Sequence, residues 1–257
     1  MRFDLRFCAA GLLIVLLAFS SPAPVQAQAF GPAQRQEIEQ IVKDYLLSHP
    51  ELLQEVLAEL EKRQSLAEAE KHRVTVKEHS AELFNSPRQV TLGNPQGDVT
   101  VVEFFDYNCG YCRRAMGDML DLLKDPKLKF VLKEFPVLGE GSTQAAHVAA
   151  AVRMQDKTGG KKYLEFHQKL LGGRGQVDKT RALAVAKDVG FDVARLEKDM
   201  SGEEVKAQIE ESMKLAELLA LNGTPSYVVG TEVLVGAVGY NALKEKVNIT
   251  RCGKAAC

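Results

Sequence analysis

Between residues 30 and 86 the apolar positions recur at helical spacing. Ile38, Ile41, Val42, Tyr45 and Leu46 fall at i, i+3, i+4, i+7 and i+8, a narrow stripe on an otherwise polar helix. Ser48-His49-Pro50-Glu51 interrupts it. Ser48 and Glu51 have the spacing of a capping box, and Pro50 suits a first turn, so a second helix is expected to open here. Leu53, Val56, Leu57 and Leu60 restart the stripe. From Glu61 to His79 the chain is highly charged, which predicts a solvated helix or a semi-rigid linker. The stripe fits a helical pair packed on the main domain, or a surface for self-association. A stripe joined to the core by a long charged stretch has little of its own chain within reach. That favours a homo-oligomer, but the stripe is too short for heptad rules to fix its number.

Beyond Asn94-Pro95-Gln96-Gly97, a turn signal, the period changes. Val99-Thr100-Val101-Val102-Glu103-Phe104-Phe105 reads as a strand, followed by an amphipathic helix through Leu120, Leu122 and Leu123. A second strand is expected at 129–135. This strand–helix–strand unit needs a right-handed crossover if its strands are parallel. Several helices follow between about 142 and 221, with faces built from Ala145 to Met154, from Tyr163, Phe166, Leu170 and Leu171, and from two later runs. Ser226-Tyr227-Val228-Val229 and Val233-Leu234-Val235 flank Gly230-Thr231-Glu232, a hairpin pattern. A last helix is expected over 240–247. The fold class is therefore α/β, preceded by an N-terminal helical segment.

The 257-residue chain has a net charge of −1, which argues against nucleic acid or an acidic surface as an obligate partner. Its beginning is not expected to join the fold. Arg2 and Arg6 precede an apolar run over 8–19, too short to span a bilayer comfortably, and Val25-Gln26-Ala27 offers small residues for cleavage. Residues 1–27 thus read as a secretory signal, with an uncleaved anchor as the alternative. Cys8 opens the apolar run instead of following it, so lipidation is not expected. Without Cys8, the cysteines Cys109, Cys112, Cys252 and Cys257 remain. An even count in an exported chain fits two disulfides and an oxidising compartment such as the periplasm. The expected organisation is a signal at 1–27, a helical oligomerisation or linker segment at 28–86, and an α/β domain at 87–257.

Cys109-Gly110-Tyr111-Cys112 carries the chemistry. A lone CxxC serves zinc, clusters or redox pairs alike. Here it lies between a strand and a helix, so Cys109 is expected at the helix N-terminus, where free N–H groups and the dipole favour an anion. A partly buried terminus contributes up to roughly 2 kcal/mol, about 1.5 pKa units. Cys109 then serves as nucleophile, and Cys112 resolves the mixed disulfide. A Cys₄ zinc site with Cys252 and Cys257 is disfavoured by their loose spacing, and no metal is assigned. Cys252 and Cys257 fit a structural disulfide, or an auxiliary redox pair. Gly223-Thr224-Pro225-Ser226 places a proline at a strand start, where it is permitted; an ordinary turn and a functional cis proline are not distinguished by spacing.

The strand and motif 102–112, Lys133-Glu134-Phe135-Pro136 and Gly223-Thr224-Pro225 resemble the DsbA-like thiol–disulfide oxidoreductases. The resemblance covers roughly 98–247. It implies a thioredoxin fold with a helical insertion at about 142–221, and a cis Pro225 facing the two cysteines. The backbone at Thr224 and Pro225, with Gly110 and Tyr111 beside it, would bind an extended substrate segment. Glu103 matches a buried acid that assists proton transfer in the family; from the sequence alone it is equally a strand-face charge. The segment from Arg35 to Glu59 is similar, on fewer residues, to the N-terminal region of ScsC-type members, where it supports trimers with disulfide isomerase activity. Gly110-Tyr111 and Thr224 resemble isomerases of the DsbC kind, although several DsbA-like members also carry Thr there.

The chain is thus expected to be an exported protein disulfide oxidoreductase, leaning to an oligomeric isomerase or reductase, with a net dithiol oxidase as the alternative. No dissociable cofactor is required, since the electrons sit in the cysteine pair. The expected partners are cysteine-containing proteins and a membrane redox protein that reoxidises or reduces the pair. A module that uses the thiols as soft ligands for copper is the reading from another class.

Overall fold

The structure, a computed structural model, describes residues 30–257. The expected signal sequence and Cys8 lie outside the described residues. Two helices come first, α1 (Pro32–Ser48) and α2 (Glu51–Glu78). The capping box expected at Ser48 does not form. The Ser48 hydroxyl donates back to the Asp44 carbonyl at 2.7 Å, so it closes α1 instead of opening α2. The charged stretch after Glu61 continues α2 without a break.

The described residues form two compact units, divided between Glu59 and Leu60. In the first, α1 buries no residue. Its stripe is open to solvent, with Ile41 60 % and Tyr45 54 % exposed, and in the first turns of α2 Val56 is 62 % exposed. Helices of this length depend on the packing of an apolar face.

The second unit adds α3 (Ser80–Phe84) and a five-stranded sheet ordered β1-β3-β2-β4-β5. The strands are β1 (Val90–Gly93), β2 (Val99–Phe105), β3 (Leu128–Glu134), β4 (Ser226–Val229) and β5 (Glu232–Val235). β2 and β3 pair in parallel, across α4 (Gly110–Leu122). β4 lies antiparallel on the other side of β2, and β5 closes the hairpin. This is the thioredoxin arrangement expected from the resemblance. Five helices separate β3 from β4: α5 (Glu140–Gln155), α6 (Lys161–Gly172), α7 (Lys179–Asp188), α8 (Val193–Asp199) and α9 (Glu203–Leu218). The chain ends with α10 (Tyr240–Cys252).

Three elements depart from the expectation. β1 precedes the 94–97 turn and pairs antiparallel with β3, so the sheet begins before that turn. Four residues are too few to show a period. α8 was hidden by its length; Asp192 caps it by accepting from Arg195 N. α10 runs on to Cys252, where Gly253 at φ +75° stops it.

Strand alternation separates two cores. Val102, Phe104 and Val131 pack with Val76, Leu83, Leu215 and Leu219 on one face of the sheet. Val101, Phe105 and Phe130 face the other, with Cys112 and Met119 of α4 and Val247 of α10. Two buried lysines of β3, Lys129 and Lys133, share the first face and end on α3. Lys129 Nζ donates to the Phe84 carbonyl and to Asn85 Oδ1, and Lys133 Nζ to the Glu82 carbonyl at 2.8 Å. They satisfy carbonyls that a short helix leaves without internal partners.

Candidate redox site

β2 ends at Phe105, and four residues later Cys109 caps α4. Its backbone is extended and its sulfur accepts from Cys112 N at 3.4 Å. The Thr224–Pro225 peptide is cis and brings the Thr224 carbonyl to 3.1 Å from Cys109 Sγ, which donates to it as a thiol. Gly236 N donates to the Pro225 carbonyl and Ser226 Oγ to that of Gly223, so both sides of this loop are fixed. Cys109, Cys112, Thr224 and Pro225, far apart in sequence, therefore meet at one end of the sheet.

The two thiols are free and differ in surroundings. Cys109 is pushed down to about 5, chiefly by a hydrogen bond from the Cys112 thiol; burial opposes this, and the Thr224 side chain and the Cys112 and Tyr111 N–H groups add to it. The largest cause is thus the partner thiol, which an argument from the helix dipole alone omits. Cys112 is fully buried and pushed far up, first by burial, then by its bond to Cys109 and the charge of Glu103. One sulfur is poised as an anion while its neighbour retains a proton.

Glu103 lies on β2 in phase with Val101 and Phe105, hence on the face that α4 covers. It is 4 % exposed. Burial pushes its carboxyl up to about 8, against a hydrogen bond with Tyr227. This is the buried position, not a solvent-facing strand charge. Tyr111 is 59 % exposed, with Arg114 stacked on its ring. A Cβ at Gly110 would meet nothing within 4 Å, so packing does not require glycine there.

Cys252 and Cys257 are bonded to each other, with Cα atoms 6.4 Å apart. Next to Cys252, Arg251 donates to Asp98 and Asp125, which stand just before β2 and β3. The terminal pair is therefore at the opposite end of the sheet from Cys109, and the four cysteines do not converge. Among the described residues no group of three or more His, Cys, Asp or Glu side chains is arranged to hold a metal.

Sequence reasoning gave no role to Asp106, Tyr107 and Asn108, although all three anchor the loop into Cys109. Tyr107 Oη lies 3.2 Å from Tyr163 Oη and 3.3 Å from His167 Nδ1, and Tyr163 donates to the buried Glu134. Burial pushes His167 down to about 3, so the ring is neutral. The available signal was the Asp106-Tyr107-Asn108 run itself, two short polar side chains beside a motif, which is the pattern of side chains that bond nearby backbone.

A strand-to-helix cysteine pair facing a cis proline defines a thioredoxin-fold redox site. The chain belongs to the DSBA-like thioredoxin domain family, whose model matches residues 100–248, and this places it among thiol–disulfide oxidoreductases of DsbA and ScsC type. Residues 34–67 match the N-terminal domain of the copper resistance protein ScsC. A thioredoxin-like oxidoreductase of Silicibacter pomeroyi is 47 % identical, over 66 % of this chain and 96 % of that one, with a TM-score of 0.63. A linker-deletion variant of Proteus mirabilis ScsC is 25 % identical, over 88 % of this chain and 98 % of its own, with a TM-score of 0.64. Disulfide bond formation protein D of Bacillus subtilis is 26 % identical over 65 % of this chain and 78 % of its length. The chain also matches Na(+)/H(+) antiporter NhaA 1 of Salinispora arenicola, of whose length it spans 25 %. Among the described residues no helix is long and apolar enough to cross a membrane.

Proposed function

We propose that the protein exchanges disulfides with protein substrates in the periplasm, through Cys109 and Cys112. The Cys109 thiolate attacks a substrate disulfide, forms a mixed disulfide and releases one substrate thiolate. Cys112, after losing its proton, attacks the Cys109 sulfur and releases the second, which leaves the Cys109–Cys112 disulfide and a reduced substrate. Oxidation of a substrate is the same sequence reversed. Glu103, beneath Cys112, takes up and returns the proton. The backbone at Thr224 and Pro225, flanked by Gly110 and Tyr111, receives the substrate segment. The electrons reside in the cysteine pair, and a membrane redox protein resets it. The observation that carries this reading is the Cys109 sulfur, held between the Cys112 N–H and the Thr224 carbonyl.

The direction we favour is isomerase or reductase, by an oligomer assembled through residues 28–86. The open apolar stripe and the match to the ScsC N-terminal domain support it. The name of the Bacillus relative supports the other direction, net dithiol oxidation. Cys252–Cys257 acts as a staple that closes the end of α10, because Asn248 Nδ2 also donates across that loop to the Ala255 carbonyl.

Cys112→Ser tests the exchange. It is expected to accumulate mixed disulfides between Cys109 and proteins. A copper-binding module would instead form none and would lose Cu(I) binding in the same variant. The mass in solution of the chain with and without residues before 87, beside its rate of repairing a scrambled disulfide protein, tests the direction. A monomer that only oxidises would overturn the isomerase lean.

A further inference from the structure

The three residues between β2 and Cys109 are all tied to the helical insertion or the turn before it, and Asp106 makes the most bonds. Its Oδ1 accepts from Asn108 N at 2.7 Å and from Ser142 Oγ at 2.7 Å. Its Oδ2 accepts from Val137 N at 2.9 Å and Leu138 N at 3.0 Å. Its own carbonyl accepts from Cys109 N at 3.0 Å. The residue is 1 % exposed. Four converging donors in a buried place require two oxygens with free lone pairs, which a carboxylate offers and an amide does not. Asn108 extends the clamp. Its Nδ2 donates to Ser142 Oγ and the Val177 carbonyl, and its Oδ1 accepts from Val177 N at 2.7 Å. Ser142 thus donates to one side chain and accepts from the other.

The mechanism above does not use Asp106, and nothing in its surroundings lets it meet a substrate. We propose that Asp106 is a positioning residue for the exchange reaction: its carboxylate, through Asn108 and Ser142, locks the 106–109 loop to the 137–138 turn and the start of α5, and so holds Cys109 Sγ against Cys112 N and Thr224. The proposal rests on the reading of Cys109 as the nucleophile. The stake is geometric. The sulfur accepts from Cys112 N at 3.4 Å, and the loop's freedom decides whether that bond is kept.

Charge and position pull Cys109 in opposite directions, which makes the role measurable. A carboxylate near a thiolate disfavours the thiolate, so if Asp106 acted only by charge, Asp106→Asn would lower the Cys109 pKa. If it positions the loop, the amide presents N–H groups to existing donors, the clamp opens and the pKa rises, by about one unit, a ten-fold change in ionisation constant. A purely structural part would lower the melting temperature and leave the titration in place.

The experiment titrates Cys109 in the reduced full chain by thiolate absorbance, in wild type, Asp106→Asn, Ser142→Ala and Ser142→Thr. The expected result is a raised pKa in Asp106→Asn, a smaller rise of about two-fold in ionisation constant in Ser142→Ala, and a return to wild type in Ser142→Thr, which keeps the hydroxyl. Should Asp106→Asn not fold, the serine pair decides alone. An unchanged or lowered pKa in the folded variants overturns the positioning role. A wild-type Cys109 that titrates near the ordinary thiol value would instead overturn the nucleophile assignment, so the two failures are distinct.

Discussion

The two cysteine pairs sit at opposite ends of two helices that both pack on the sheet. Cys109 caps the N-terminus of α4, and Cys112 follows one turn inside, both buried. Cys252 ends α10, and Cys257 closes a short exposed loop after it. An N-terminus presents unpaired N–H groups to a sulfur, whereas a C-terminus presents carbonyls. Cys109 Sγ accordingly accepts from an amide, while Cys252 and Cys257 lie near the Lys254 and Asn248 carbonyls. The same residue type thus meets opposite helix termini in the two pairs. Only the first environment favours a thiolate, and reactivity follows the environment more than the spacing.

Removing either pair gives the widest separation. Cys109→Ser is expected to abolish exchange, by about a thousand-fold or more, while Cys252→Ser with Cys257→Ser leaves the exchange rate within about two-fold and costs up to about 2 kcal/mol of stability. Parallel insulin-reduction assays and denaturant melts would show it; a large loss of exchange in the terminal variant would mean that the staple reading is wrong.

The next contrast concerns buried charge. Glu103 is an acid whose folded pKa is raised to about 8. Its penalty is absent below the ordinary carboxyl value, grows as pH rises through that value, and is complete above about 8. Glu103→Gln is therefore expected to stabilise the reduced protein by about 3 kcal/mol at pH 7 and by nothing at pH 4, while slowing resolution by Cys112. Melting curves at both pH values test the sign.

A smaller effect sharpens the nucleophile itself. With Cys109 at about 5, its alkylation is expected to be flat from pH 6 to 8 and to fall about ten-fold per unit below 5. A profile still rising through pH 8 would place Cys109 beside an ordinary thiol. The depressed value also stabilises the reduced fold above the ordinary thiol pKa, a contribution lost as pH falls through about 5.

Much of this was legible in the sequence, for identifiable reasons. β2 is a seven-residue run of β-branched and aromatic residues, and the cysteine pair directly after it announces a strand-to-helix turn. The hairpin showed through Gly230, whose φ of +60° suits a tight loop. β1, at four residues, carries no readable period and depends on β3 for its hydrogen bonds. The Ser48 hydroxyl had two backbone choices, and spacing alone does not distinguish a cap from a back-bond. In the site, Cys109 and Cys112 stood out by residue type, and Pro225 through the family resemblance. Asp106, Ser142 and Val177 did not, because what joins them is contact across the helical insertion and not any interval along the chain.

The two lysines of β3 have a consequence for chemical labelling. Lys129 and Lys133 are 7 % and 2 % exposed, with their amines engaged by α3, and burial lowers Lys133 to about 8. Acylating reagents attack the uncharged amine, and they should not reach Lys133 while α3 is docked. Acylation of Lys133, mapped by mass spectrometry, would therefore mark the moments when α3 lifts from the sheet, with a native side chain as the reporter.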